Sequence, residues 1–248
     1  MRPVDAHCHI DFDQYSEDRD EVIQRAEEEL DFIVNAGSCL ENNIQVLELE
    51  EKHPEFVIAN LGLHPTYTEK FDQLQVIKEQ IRDEDPAAVG EIGLDHHHVS
   101  DEDVRDRQRQ VFREMLDLAE ELDKPVVVHS RDAEEEAVDI ISDYDLPGVT
   151  LHCFNGSPDL AEEAVEKGFK IGVTTQVLYS SRVQKIVHRL NVDDLLLETD
   201  SPFLYRGERN EPVNVVESAE KIAEIKGLGK EDVIGATTRN AARMFRNA

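Results

Sequence analysis

From end to end the chain repeats one pattern: a short run of β-branched and other apolar residues, then a longer charged segment whose apolar residues recur at helical spacing. The short runs fall at 3–9, 32–36, 56–61, 87–92, 126–129, 149–152, 169–173 and 195–198. Helices are expected at 18–30, 41–52, 71–82, 103–122, 133–143, 159–167, 181–189, 215–225 and 231–246. In 103–122, Val111, Met115, Leu118, Ala119 and Leu122 share one face and charges take the rest, as a helix covering a sheet requires. No linker interrupts the alternation, so residues 1–248 read as one domain. Eight strand–helix units in a chain of this length predict a closed (β/α)8 TIM barrel, an α/β fold. The alternative is an open doubly wound sheet, but its GxGxxG signature is missing where the first strand runs into DAHCHIDF.

Asp and Glu number 55 against 26 Lys and Arg, a formal net charge of −29, spread along the chain with no acidic tail. That excludes an ordinary basic nucleic-acid-binding module. It reads as a solvated face suited to a halophilic cytoplasm, where molar salt shortens the Debye length to roughly 3 Å and screens self-repulsion. Cys8, Cys39 and Cys153 have no disulfide-like or CxxC spacing and read as reduced thiols inside a cell. MRPVDAHCHI lacks the apolar region of an export signal, and no apolar run nears the roughly 18 residues of a membrane span. A cytoplasmic location without membrane contact is expected.

The ionisable residues gather at strand ends. His7 and His9 close the first strand, His64 follows the third, and Glu91 and Asp95 sit at and beyond the fourth. His129 ends the fifth, His152 the sixth, and Asp200 follows the eighth. In a barrel of parallel strands all these ends share one rim, where such folds hold their sites. Residues i and i+2 of a strand point the same way, so His7 and His9 make a two-pronged grip for a metal while Cys8 points away. By the same alternation Cys153 is expected to point away from the site and Asp5 to share a face with His7, where a hydrogen-bonded strand-end carboxylate is its plainer account. His96, His97 and His98 diverge as consecutive side chains and read as an exposed loop, not a third metal site.

The segments DAHCHID (5–11), GLHP (62–65), GEIGLD (90–95), VVHSRDA (127–133), LHCFNGS (151–157) and LLLETDSPFL (195–204) resemble, in order, the signatures of the TatD family of metal-dependent hydrolases. The resemblance implies a TIM-barrel hydrolase with two divalent metal ions (Mg, Mn or Zn), cleaving phosphodiesters as a deoxyribonuclease or 3′-to-5′ exonuclease. Carried over residue by residue, it implies one metal on His7, His9 and Asp200, a second on His129 and His152, and Glu91 between them. Chemistry agrees, because a carboxylate can span two cations roughly 3.5–4 Å apart and one imidazole nitrogen cannot. The resemblance also places His64 and Arg131 at the substrate. Their alternatives are local: His64 fixing the loop before Pro65, and Arg131 pairing with Asp132 or Glu135. Asp95 is expected to orient a ligand histidine.

In the mechanism this implies, Asp200 orients the attacking water and is the general base. A chain at −29 repels a polyanion, so binding must rest on the metals. The partner expected is therefore a short single-stranded DNA end, not a long duplex groove, and no protein partner is identifiable. Two other readings stand beside this one: the same metals hydrolysing a carbonyl ester or amide, and a non-catalytic metal-holding scaffold. Glu91, where many carbonyl-hydrolysing barrels carry Lys, favours the phosphodiester.

Overall fold

The computed structural model describes residues 1–246. Eight parallel strands follow one another in sequence order around the sheet: β1 (Asp5–Cys8), β2 (Ile33–Ala36), β3 (Val57–Leu61), β4 (Ala88–Asp95), β5 (Val126–Arg131), β6 (Val149–His152), β7 (Lys170–Val173) and β8 (Leu195–Leu197). Helices α1 (Arg19–Glu29), α2 (Leu40–Lys52), α3 (Leu74–Glu84), α4 (Glu102–Glu121), α5 (Glu134–Ile141), α6 (Pro158–Glu166) and α7 (Ser181–Arg189) each lie between consecutive strands. Helices α8 (Val215–Lys226) and α9 (Lys230–Phe245) follow the last strand.

The seam between β8 and β1 is stitched beyond the end of β8. Asp200 N donates to His7 O at 3.0 Å and His9 N to Ser201 O at 2.8 Å, around a Cys8–Ser201 bridge. The barrel is thus nearly closed, and residues of the candidate site make the closure.

Local chemistry explains the helices that cover it. Asp101 caps α4 by accepting from the amides of Asp103 and Val104, a bond whose loss costs about 1 kcal/mol. That helix buries Val111, Phe112, Met115 and Leu118 against the sheet. Ser157 caps α6 with Pro158 in its first turn, and α8 stops at Gly227, whose φ of 65° lies in the left-handed region. The expected helix near 71–82 instead begins with a 3-10 segment, Thr68–Gln73, before α3.

Inside the barrel, Val34, Ile58, Ala88, Val127 and Leu196 form one apolar cluster with Ala241, Met244 and Phe245 of α9. The C-terminal helix therefore plugs the amino end, leaving the carboxyl end for chemistry. None of the described helices is long and apolar enough to cross a membrane.

Candidate metal centre

At the carboxyl rim, His7 Nε2 and His9 Nε2 lie 3.2 Å apart, as their shared direction required. The Cys8 thiol turns outward to Val34 O at 3.4 Å. His9 Nδ1 is 2.9 Å from Ala36 O, a group that only accepts, so a neutral His9 carries its proton there and aims the Nε2 lone pair at the cluster.

Glu91 lies between two sets of imidazoles. Its Oε2 is 3.4 Å from His7 Nε2 and 3.7 Å from His9 Nε2. Its Oε1 is 2.9 Å from His129 Nδ1, 3.3 Å from His64 Nε2 and 3.9 Å from His152 Nε2. Asp200 Oδ1 stands 3.5 Å from the Nε2 atoms of both His9 and His152. The His152 ring stacks on that of His7 with centroids 3.6 Å apart.

Among the described residues, four overlapping groups bring donor atoms within 4.8 Å of one another: His7–Glu91–His152, His7–His9–Asp200, His64–Glu91–His129 and His152–Cys153–Asp200. The structure thus sets His64, not His152, in the tight group with His129. His64 also fixes its loop, with Nδ1 2.7 Å from Thr66 Oγ1. Arg131 is exposed on the wall of the same cleft of about 510 Å³. Among the described residues its side chain pairs with neither Asp132 nor Glu135.

Electrostatics show what the cluster lacks. Burial opposes charge on Glu91, yet His64, His152, His7 and the bond from His129 hold it well below the usual carboxylate range. Burial likewise opposes charge on Asp200, and His152 and His9 overcome it, again downward. Burial also works against a charged His9, but Asp200 and Glu91 push it up to about 9. His152 is raised well above the ordinary imidazole value against burial, by Glu198, Glu91 and Asp200. Ionised carboxylates thus hold protons on imidazoles, in a buried cage that a divalent cation can serve in their place. The imidazole and carboxylate donors fit such an ion by type and spacing.

Asp95 performs as expected: its Oδ2 is 3.1 Å from His129 Nε2, and it is buried. Two expectations need correction. Cys153 does not point away from the site, because β6 ends at His152 and Cys153 turns with a φ of 46°, which ends the alternation and brings its thiol to the cleft. Burial pushes that thiol up to about 12. Asp5 is the hydrogen-bonded strand carboxylate expected: it is buried and accepts from Thr199 N at 2.8 Å, from Thr199 Oγ1 at 2.5 Å and from His7 N at 3.3 Å. Of the three consecutive histidines, His97 and His98 are exposed as expected, but the His96 side chain is 11% exposed and lies beside Glu136.

The residue that sequence reasoning missed is Glu198. It is fully buried, with Oε1 2.6 Å from Cys153 N and 3.1 Å from His152 Nδ1. Its signal was present, an acid directly after the eighth apolar run and two residues before Asp200. Gly172 makes room for it, since a Cβ there would lie 2.5 Å from Glu198 Oε1.

An eight-stranded parallel barrel with a buried imidazole–carboxylate cage at its carboxyl rim defines a hydrolase of the metal-dependent barrel class. The family model described as TatD related DNase matches residues 4–246, and the chain belongs to that family of metal-dependent hydrolases. It is 37% identical over 251 residues to an uncharacterized metal-dependent hydrolase of Methanocaldococcus jannaschii, covering 99% of this chain and 98% of the relative. It is 33% identical to the human deoxyribonuclease TATDN3, with 98% and 94% covered. The crystal structure of the TatD homolog YJJV from Escherichia coli superposes with a TM-score of 0.88 at 33% identity, covering 99% of this chain and 98% of that one.

Proposed function

We propose that this chain is a phosphodiesterase, a deoxyribonuclease that shortens single-stranded DNA from its 3′ end, with residues 1–248 acting as one catalytic domain. The observation that carries the reading is Glu91, whose two oxygens face different imidazole sets, as a carboxylate shared by two cations must. His7, His9 and Asp200 would hold one divalent ion, and Glu91, His129 and His152 a second, drawn from Mg, Mn or Zn. Bound there, such ions acidify a water and neutralise charge on phosphoryl oxygens.

The chain's own residues supply the rest. Asp200 stays ionised beside His9 and His152, so it can accept the proton of the attacking water through a carboxylate oxygen. Arg131, exposed on the cleft wall, meets a non-bridging phosphate oxygen by a charge-assisted hydrogen bond, and His64 orients the same group. The human relative's name as a deoxyribonuclease supports this substrate. We infer a cytoplasm of molar salt as the working medium from the charge of −29.

The test is cleavage of a 3′-labelled single-stranded oligonucleotide in high KCl, with and without Mn²⁺, by wild type and Asp200→Asn. Metal-dependent shortening from the 3′ end, absent in the variant, is expected. No shortening by protein with bound metal would redirect the site to carbonyl esters or amides.

A further inference from the structure

On one side of the cleft stands an aromatic step that the hydrolytic groups do not use. The ring of Phe12 stacks on His9, with centroids 4.7 Å apart and planes inclined by 21°. Phe203 meets Phe12 edge-on at 6.0 Å and 74°, and is 43% exposed. Both line the cleft, with Arg131 and Arg182 also on its walls. The backbone beneath Phe203 is pinned: its N–H donates to Asp200 O at 2.9 Å, and its carbonyl accepts from Asn210 Nδ2 at 2.7 Å. Phe203 thus presents a large apolar ring to solvent on a fixed backbone, backed by Phe12, in the cleft of the candidate centre.

We propose that Phe203, backed by Phe12, is a stacking platform for the terminal nucleobase of the strand being cut. The proposal rests on the phosphodiesterase reading of the same site. A base has an apolar face matched to a phenyl ring, and the phosphodiester on the 5′ side of that terminal nucleotide then reaches the imidazole–carboxylate cage one ring away, past His9. Stacking also answers the charge problem. With a net charge of −29, and with Arg182 already engaged with Asn155 O, ionic contacts to phosphates are few. Their contribution weakens further in salt, whereas stacking on an aromatic ring is insensitive to base identity and does not depend on counterion release. Single strands expose that face and duplex interiors do not, so the platform selects unpaired ends.

The test uses full-length protein with Mg²⁺ and an oligonucleotide whose 3′-terminal linkage is a non-hydrolysable phosphonate, carrying 2-aminopurine either at the 3′ terminus or four nucleotides inward. Terminal 2-aminopurine is expected to quench on binding, and the inward probe is not. Phe203→Leu is expected to abolish the terminal quench and Phe203→Tyr to keep it. With cleavable substrates, Phe203→Leu is expected to raise KM roughly tenfold or more for a natural end, with little change in kcat, and to leave an abasic end unaffected. A quench retained in Phe203→Leu, or none in wild type, overturns the platform. Shortening without terminal quench removes the platform and leaves the nuclease reading. Quench without shortening of the natural strand does the reverse.

Discussion

The carboxylate of Glu198 stands 3.1 Å from Nδ1 of His152, on the side of the ring opposite the cage. The Nε2 atom of the same ring faces Asp200 and Glu91, so the negative charge of Glu198 lies behind a candidate metal ligand. Glu198→Gln keeps the size and removes the charge. Metal affinity is expected to fall roughly 10- to 100-fold. Competition with a chromophoric chelator measures it, and unchanged affinity would remove Glu198 from the site's support.

Gly172 tests the same relationship from outside. An alanine Cβ would sit 2.5 Å from a carboxylate oxygen that is fully buried and has nowhere to retreat. Gly172→Ala is expected to cost about 1–3 kcal/mol of stability by overpacking. It should also weaken metal binding as Glu198→Gln does. Denaturant melts and chelator competition report the two effects separately, and a change in stability alone would mean that β7 yields without moving Glu198.

Asp200→Asn removes the proposed base together with one proposed metal ligand, so bound metal is assayed beside turnover. The substitution leaves the main-chain bond from Asp200 N to His7 O in place, so the fold is expected to persist with an unchanged circular dichroism spectrum. Turnover should drop by roughly 10²- to 10⁴-fold. Near-wild-type rates would contradict a role as base.

The protons on the imidazoles make a prediction about pH. His9 rises from an ordinary 6.5 to about 9 in the folded metal-free protein, so its contribution to stability is complete below 6.5 and is lost as pH climbs through about 9. His152 acts in the same direction. Glu91 and Asp200 are depressed, so their contribution is present above ordinary carboxylate values and is lost only in acid. Metal-free protein should therefore melt at progressively lower temperature from pH 6.5 to 9. Added Mn²⁺ should flatten that decline and bind more tightly as pH rises, because it replaces the same protons. Thermal melts in EDTA and in Mn²⁺ across this range decide it.

Salt makes a further one. With a net charge of −29, the melting temperature should climb between about 0.1 M and about 3 M KCl as self-repulsion is screened. Equal stability across the series would dismiss adaptation to molar salt.

The barrel was legible because alternation of apolar runs and helical faces is a local property, carried by every segment separately. The rim was legible because strand ends in a parallel barrel must coincide, which brought His7, His129 and Asp200 together across nearly the whole chain. What escaped depended on departures from regularity. A left-handed turn at Cys153 brought its thiol into the cleft. Glu198 was hidden differently: buried acids earn their place through partners, and its partner His152 lies on a strand far away in sequence. The aromatic pair Phe12 and Phe203 gave no signal either, since ring exposure is decided by neighbours that a linear chain does not reveal.

The seam between the first and last strands has a consequence for biosynthesis. His7 and His9 are synthesised long before Asp200 and Ser201, to which they are tied. A chain made only to residue 190 already carries all ten histidines, yet it lacks Asp200 and the group His7–His9–Asp200 has not come together. The centre is therefore completed late, once residues 200 and 201 exist and the two ends of the barrel meet.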